Sequence, residues 1–150
     1  SNSELKANYF YTKSKMISLS DDSGLEVSAL NNRPGIFSAR WAKKYGNFYK
    51  AMKVILSKLS KNKNRRAKFI CSLSIKINKK KIITAIGRVN GKISKNVIGN
   101  KGFGYDPIFI PIGYKISYGQ MNRTKKMKID HRSIAFKKLK KKLKSNKFFI

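Results

Sequence analysis

Apolar residues recur along the chain at two kinds of spacing, and each spacing predicts a different kind of element. Spacings of three and four residues predict a helix over 4–16, a helix that Asn47 caps, and a helix over 132–144. Their apolar positions are Leu5, Tyr9, Phe10 and Met16 in the first, Phe48, Met52, Ile55, Leu56 and Leu59 in the second, and Ala135, Leu139 and Leu143 in the third. The stripe of the second helix is interpreted as core.

Alternation of apolar and polar residues predicts the strands. The clearest strand is "AKFICSLSIKI" at 67–77, and "IITAIGRV" at 82–89 follows it after the turn "NKKK". Asn90-Gly91 predicts a type I′ hairpin before "KIS", and "MISLS" at 16–20 predicts a short strand. The segment "NNRPGIFSARWA" at 31–42 predicts a loop and a short helical turn. Helices mixed with hairpin strands indicate an α/β or α+β protein, with residues 1–150 as a single domain.

Composition adds a large positive charge to this picture. The chain has 36 Lys plus Arg against 6 Asp plus Glu, a net charge of +30. Such a charge attracts nucleic acid and other polyanions. Because the lysines occur along the whole chain rather than in one patch, a general lysine bias is the favoured interpretation, with nucleic-acid binding non-specific if it occurs.

Apolar runs and cysteine usage exclude several classes of protein. No apolar run approaches the ~20 residues of a membrane helix, and no signal peptide is recognised, so a cytoplasmic protein without a membrane partner is expected. Cys71 is the single cysteine, which excludes an internal disulfide and a cysteine cage for zinc. It lies in an alternating apolar run and is expected to be a buried, inert thiol.

The scarce acids draw attention to "SDDSG" at 20–24, where Asp21 and Asp22 are adjacent. Adjacent residues at a strand end point to opposite sides, so one carboxylate can face a cleft while the other orients a neighbour. A carboxylate such as Asp22 is a suitable ligand for Mg²⁺, which prefers oxygen. Asp, Ser and Gly are also favoured in turns, and a simple turn stays open as the alternative.

Two further stretches combine residues that can bind a nucleotide. In "GFGYDP" at 102–107, the glycines allow close backbone approach, two aromatic rings offer faces for stacking, and Asp106 offers an acceptor for a purine edge. A tight loop with a buried aromatic residue is an equal alternative. In "KKMKIDHRS", the pair His131 and Arg132 beside two lysines can hold phosphate or a base carbonyl, although a lone histidine is usually structural.

Taken together, "LSDDSGLEVSALNNRPGIFSARWA", "GFGYDPIFIP" and "DHRSIAFKKL", in this order and spacing, resemble the inosine triphosphate pyrophosphatase family. The resemblance covers about Asn2 to Leu143. It implies Mg²⁺-dependent hydrolysis of non-standard purine nucleoside triphosphates (ITP, dITP, XTP) to the monophosphate and pyrophosphate. It also implies an elongated α/β protein with a mixed sheet flanked by helices, a nucleotide cleft between two lobes, and usually a homodimer.

The resemblance implies a role for each matching residue. Asp22 matches the general base and Mg²⁺ ligand, Asp21 is its acidic neighbour, and Lys6 faces the phosphates. The expected substrate-binding residues are Ser23, Phe103, Gly104, Tyr105, Asp106, Lys126, His131 and Arg132, with Phe103 stacking on the base and the His-Arg pair reading it.

The chain departs from the family's pattern at its start. The usual opening strand, its Ser/Thr-Gly-Asn-x-x-Lys loop and a glutamate that serves as a second metal ligand have no counterpart here, so an N-terminal truncation is expected. The alternatives are an inactive truncated family member, a basic nucleic-acid-binding module, and the related family that acts on modified pyrimidine triphosphates. That last family is not expected to carry "GFGYDP" followed by "HR".

Overall fold

The structure, a computed structural model, describes residues 1–145 as helices and strands in mixed order. The helices are α1 (Asn2–Ser14), α2 (Ser38–Tyr45), α3 (Phe48–Lys58), α4 (Arg123–Ile129) and α5 (His131–Ser145). The strands are β1 (Ser18–Val27), β2 (Arg33–Gly35), β3 (Arg66–Lys76), β4 (Ile82–Ile93) and β5 (Phe109–Pro111). The predicted α/β class is confirmed.

The five strands form one sheet in the order β2-β1-β3-β4-β5. At one edge β2 pairs antiparallel with β1, and Leu25 lies opposite Gly35. At the other edge β5 pairs antiparallel with β4, and Ile93 lies opposite Phe109. None of the helices over residues 1–145 is long and apolar enough to cross a membrane.

Tertiary contacts divide the chain into two compact units. Unit 1 contains residues 1–23, 70–88 and the segment from His131 onward, and unit 2 contains residues 24–69 and 89–130. The single domain over 1–150 and the nucleotide cleft stay predictions, and residues 146–150 lie outside the described part.

The core of unit 1 lies between α5 and the alternating strands. Ala135 and Leu139 of α5 are buried against side chains of β3 and β4, namely Cys71, Leu73, Ile75, Ile83 and Ala85, with Leu143 packed beside them. This arrangement confirms the stripe predicted for the last helix and the inward face predicted for the strand at 67–77. Burial raises the pKa of the Cys71 thiol, as expected for an inert cysteine.

Helix α1 exists as predicted, but the apolar residues that indicated it do not form its buried face. Leu5, Tyr9 and Phe10 are exposed, whereas Ser3 and Ala7 are buried. The hydroxyl of Ser3 lies 2.8 Å from that of Ser72 and 2.7 Å from that of Ser74. The helix therefore docks through hydroxyl groups, which no periodicity of apolar residues can indicate.

In unit 2, α3 and an aromatic cluster supply the core. The side chain of Asn47 accepts the backbone N–H of Lys50, which confirms the predicted cap. The rings of Phe69, Phe109 and Tyr118 pack with centroids 4.6 to 6.0 Å apart.

One local prediction is wrong, and one open alternative is excluded. Asn90 and Gly91 lie inside β4 rather than in a hairpin turn, because β5 pairs with this end of β4. A Cβ on Gly91 would overlap the backbone of Ile110, so this glycine permits close strand approach. Asp21 and Asp22 lie inside β1, which excludes the turn alternative.

Candidate functional site

The residues predicted for the site fall into two clusters, one in each unit. Unit 1 contains Lys6, Asp21, Asp22, Ser23, His131 and Arg132, and unit 2 contains Phe103, Gly104, Tyr105, Asp106 and Lys126. Each cluster has contacts of its own that determine which of its groups can meet a ligand.

The two aspartates of β1 face different cations. The carboxylate of Asp21 accepts a hydrogen bond of 2.8 Å from the guanidinium of Arg132. The carboxylate of Asp22 lies 3.6 Å from the ammonium of Lys6, which donates instead to the backbone carbonyl of Asp21 at 3.0 Å. The predicted divergence of the pair is confirmed, and the contact of Asp22 with Lys6 is a loose ion pair of 3.6 Å.

Helix α1 positions Lys6 through the same face that docks on the strands. Ser3 lies three residues before Lys6, so the two side chains share one side of the helix. The Ser3 hydroxyl is anchored on Ser72 and Ser74, and its carbonyl accepts the hydroxyl of Ser20. Because Ser3 is anchored within one helical turn of Lys6, the Lys6 ammonium is held near Asp21 and Asp22 of β1.

The first turn of α5 brings His131 and Arg132 into the unit 1 cluster. His131 is buried, whereas Arg132 is about half exposed and bonds Asp21. Gly87 of β4 makes this approach possible, because a Cβ there would overlap the carbonyl of His131. The hydroxyl of Ser23, at the other side of Asp22 in sequence, is buried as well. Base reading by the His-Arg pair stays a prediction.

The oxygen ligands around Asp22 decide whether a metal ion fits this cluster. Within residues 1–145, no group of three or more His, Cys, Asp or Glu side chains can hold an ion. Asp22 is 23% exposed and its carboxylate lies 3.6 Å from the Lys6 ammonium, so it can supply one ligand. Mg²⁺ is commonly held by one or two carboxylates together with substrate phosphates and water. The donor set therefore fits an ion that binds with phosphates, and it does not form a dedicated cage.

In unit 2, the loop between two glycines presents one exposed ring. Gly102 and Gly104 have φ values of +75° and +64°, which suit glycine, and Phe103 lies between them with 60% of its surface exposed. The ring of Phe103 packs edge-on against Phe48, with centroids 5.8 Å apart. An exposed aromatic ring can stack on a flat base.

Tyr105 does not offer a stacking face, which corrects the prediction for this residue. Its ring is buried against Phe48, with centroids 5.2 Å apart. Its hydroxyl donates to the backbone carbonyl of Ser38 at 2.9 Å. Burial raises the pKa of this phenol, so the hydroxyl remains a donor. Tyr105 anchors the loop rather than exposing a ring.

Asp106, which the sequence indicates as an acceptor for a purine edge, lies inside the loop rather than on its surface. Its side chain is 1% exposed, and it accepts from the backbone N–H of Phe103 at 2.7 Å and from the ammonium of Lys126 at 2.5 Å. Burial raises the pKa of the Asp106 carboxyl, and the Lys126 ammonium opposes that shift. The carboxylate is thus committed to the loop and to α4.

Phe48 and Ser38 complete the unit 2 cluster and were not found from the sequence. Phe48 was assigned to a core stripe, yet it supports both aromatic rings of the loop. Ser38 receives the hydroxyl of Tyr105 across 67 positions of sequence, for which no local pattern exists. Helical spacing indicates which face of a helix is buried, but it does not indicate which residues of other elements pack against that face.

A surface groove of about 600 Å³ lies elsewhere in unit 2. Arg66, Lys68, Lys92 and Tyr114 are among its lining residues, and none of the predicted site residues lines it. The groove is therefore separate from both clusters.

Comparison with known proteins finds a matching family model and relatives that share one name. A model of the Ham1 family matches residues 1–142. A dITP/XTP pyrophosphatase of Clostridium tetani is 42% identical over 131 residues, which cover 87% of this chain and 65% of that protein. A protein of the same name from Flavobacterium psychrophilum is 43% identical over 92% of this chain and 72% of its own length. The chain thus spans about two thirds to three quarters of these relatives.

Solved structures agree with the sequence matches. The Ham1 protein of Staphylococcus aureus superposes with a TM-score of 0.90 at 35% identity, covering 97% of this chain and 76% of that one. A HAM1 protein from Coxiella burnetii gives a TM-score of 0.89 at 30% identity, covering 96% and 75%.

Proposed function

Since this chain belongs to the Ham1 family, we propose that it hydrolyses non-standard purine nucleoside triphosphates, ITP, dITP and XTP, to the monophosphate and pyrophosphate. The observation that carries the proposal is the partly exposed Asp22 carboxylate, which β1 holds 3.6 Å from the ammonium of Lys6 in a chain of net charge +30. Relatives named dITP/XTP pyrophosphatase support the choice of purine substrates over modified pyrimidines.

Hydrolysis explains why a carboxylate is kept among so many lysines. Cations can hold a triphosphate, but a protonated lysine has no acceptor with which to take a proton from water. Asp22 can act as that general base, and its oxygen can also hold Mg²⁺. When bound, the ion neutralises charge that develops on the phosphates. Lys6 is assigned to the phosphates, since its ammonium is exposed beside Asp22.

Base selection follows from hydrogen-bond chemistry. Hypoxanthine and xanthine carry a carbonyl at position six, whereas adenine carries an amino group there. Lys126, His131 and Arg132 are donors, and we assign to them the recognition of that carbonyl, with Phe103 stacking on the ring. A site that donates to a carbonyl leaves its donors unpaired against an amino group, which can reject the wrong base by roughly 10⁴-fold.

Three finer assignments belong to the proposal as well. Mg²⁺ is the expected ion, the expected assembly is a homodimer, and the expected location is the cytoplasm. Nucleic-acid binding is assigned no role beyond non-specific attraction to the +30 charge.

The proposal is tested by initial rates with ITP, dITP, XTP, ATP and GTP. Pyrophosphate is converted to phosphate by added inorganic pyrophosphatase and measured colorimetrically, with Mg²⁺ or with excess EDTA. We expect Mg²⁺-dependent turnover of ITP, dITP and XTP. Equal turnover of ATP would contradict the proposal, and a chain without any turnover would be an inactive family member.

Asp22→Asn, compared with a matched control variant, tests whether the Asp22 carboxylate is the general base. Loss of a general base is expected to lower kcat by roughly 10² to 10⁴-fold. Glu26→Gln removes the same charge from the same strand, where the glutamate pairs with Lys68 at 3.1 Å, and is expected to leave kcat within about twofold. Undiminished activity of Asp22→Asn would refute the assignment.

A further inference from the structure

We propose that Asp106 is a positioning residue, which sets nucleotide binding by holding Lys126 and the Phe103 loop in one arrangement without touching the substrate itself. The inference rests on the proposed function and deepens it, since it says how the unit 2 cluster is prepared for a base. It also assigns to Asp106 a role different from that of an acceptor for the purine edge.

One oxygen of Asp106 connects two parts of the cluster. Oδ2 accepts the backbone N–H of Phe103 at 2.7 Å and the ammonium of Lys126 at 2.5 Å. The two donors lie 23 residues apart in sequence, one in the glycine loop and the other on α4. Because both bonds end on the same atom, a shift of either donor disturbs the other.

The backbone around Asp106 is fixed, so the carboxylate is a firm anchor. A 3₁₀ turn begins at Asp106 and contains Pro107, whose φ is restricted by its ring. The carbonyl of Pro107 accepts the N–H of Ile98 at 2.9 Å, and the N–H of Asp106 donates to Phe103 at 3.2 Å. Gly102 closes over the carboxylate, and a Cβ on this residue would overlap Oδ2. The loop therefore lies directly against the charged oxygen.

Lys126 depends on this anchor for its position. Its side chain is 14% exposed, and its ammonium lies 5.4 Å from the centre of the Tyr118 ring. A lysine side chain in water has many rotamers, and ordering it costs up to about 2 kcal/mol of entropy. The Asp106 carboxylate and the Tyr118 ring confine that freedom before any ligand arrives. A donor that is already ordered binds a ligand with a smaller entropy loss.

Burial argues against direct contact between Asp106 and a nucleotide. The side chain is 1% exposed, and its hydrogen bonds with the Phe103 N–H and the Lys126 ammonium lie within unit 2. An internal carboxylate keeps the ordering effect and hides the charge.

A double-mutant cycle separates positioning from contact. Asp106→Asn, Lys126→Met and the double variant are compared with the wild-type chain by kcat and KM for ITP. Asparagine can still accept the N–H of Phe103, but it loses the charge that holds Lys126. We expect Asp106→Asn to raise KM roughly tenfold or more while kcat changes about twofold at most, since a charged hydrogen bond is removed.

The decisive comparison is the effect of Asp106→Asn in the Lys126→Met variant. If Asp106 acts through Lys126, Asp106→Asn has no further effect on KM once Lys126 is Met. If Asp106 contacts the base directly, the same factor appears in both backgrounds, and the inference is overturned. Unchanged KM in Asp106→Asn would overturn it as well. The matched control is Glu26→Gln, which breaks another carboxylate–lysine pair of unit 2 and should leave KM unchanged.

Two further readouts keep the result interpretable. A merely structural role would lower the melting temperature and the active fraction, and so the apparent kcat, without raising KM; that outcome refutes positioning. Absence of turnover by the wild-type chain would overturn the proposed function, and the role of Asp106 with it. Turnover with equal factors in both backgrounds overturns the inference alone.

Discussion

The ring of Phe103 meets the ring of Phe48 edge-on, with centroids 5.8 Å apart and planes inclined by 70°. Phe48 stands at the start of α3 and also packs against the buried ring of Tyr105. An exposed ring in a loop would otherwise sample several rotamers, and ordering it would cost free energy when a base arrives. Phe48 thus contributes to fixing the orientation of the Phe103 ring.

Phe48→Leu is expected to weaken substrate binding. An edge-to-face pair contributes about 0.5–1.5 kcal/mol, so KM for ITP should rise about two- to tenfold with kcat little changed. Steady-state kinetics check this result. Tyr49→Leu is the control, since Tyr49 is the exposed neighbour of Phe48 on the same helix. An equal rise of KM in both variants would contradict a specific role for Phe48.

Asp21→Asn is expected to act on binding and not on stability. The Asp21–Arg132 pair is about half exposed on both sides, and such pairs contribute about 0–1 kcal/mol. The midpoint of urea unfolding should therefore change little. KM for ITP should change, because Arg132 loses the carboxylate that orients it. A large drop of the unfolding midpoint with unchanged KM would show that the pair is structural.

Lys126→Met is expected to increase the dependence of stability on pH that Asp106 causes. Burial raises the pKa of Asp106 and Lys126 opposes this, so removing the lysine raises that pKa further. A folded-state pKa above the unfolded value stabilises the protein at low pH, and this stabilisation is lost as pH rises through the folded value. Breaking a buried pair costs about 3–5 kcal/mol at neutral pH.

Urea unfolding of Lys126→Met between pH 4 and pH 8 measures this effect, with wild type and the Asp106→Asn/Lys126→Met double variant beside it. The free energy of unfolding should fall with rising pH in the single variant and stay nearly level in the double variant. A level profile in the single variant would mean that Asp106 does not carry the buried charge.

Cys71 is expected to resist alkylation in the native state. The thiol is fully buried, and burial raises its pKa, so the reactive thiolate is scarce at pH 8. Reaction with iodoacetamide, followed by mass spectrometry, should be at least about a hundred times slower than in urea, since modification requires opening of the unit 1 core. Equal rates with and without urea would place the thiol at the surface.

Side-chain periodicity predicted the elements that bury one regular apolar face along their whole length. The strand at 67–77 and the last helix were found because each buries one regular face against the other. Helix α1 was found too, but its buried face was not, since hydroxyl pairs such as Ser3 with Ser74 depend on a strand about 70 residues away. Asn90-Gly91 has a strong local preference for a turn, and pairing with β5 outweighed it.

The candidate site was predicted as a set of residues, but not as a set of contacts. The sequence indicated that Asp21 and Asp22 diverge, because strand geometry alone requires it. It did not indicate that Asp106 is internal, since its partner Lys126 lies 20 positions later. Burial of Tyr105 likewise depends on Phe48 and Ser38, which lie in other elements.

Gly87 shows that a position without any functional group can control the site. The carbonyl of His131 occupies the space that a Cβ on Gly87 would need, so the first turn of α5 lies directly against β4. A single added methyl group would displace that turn and carry Arg132 away from Asp21. A genetic screen for inactive variants should therefore recover substitutions of Gly87 as well as substitutions of the charged site residues. In a scan of all single substitutions, Gly87 and those charged residues should tolerate replacement equally poorly.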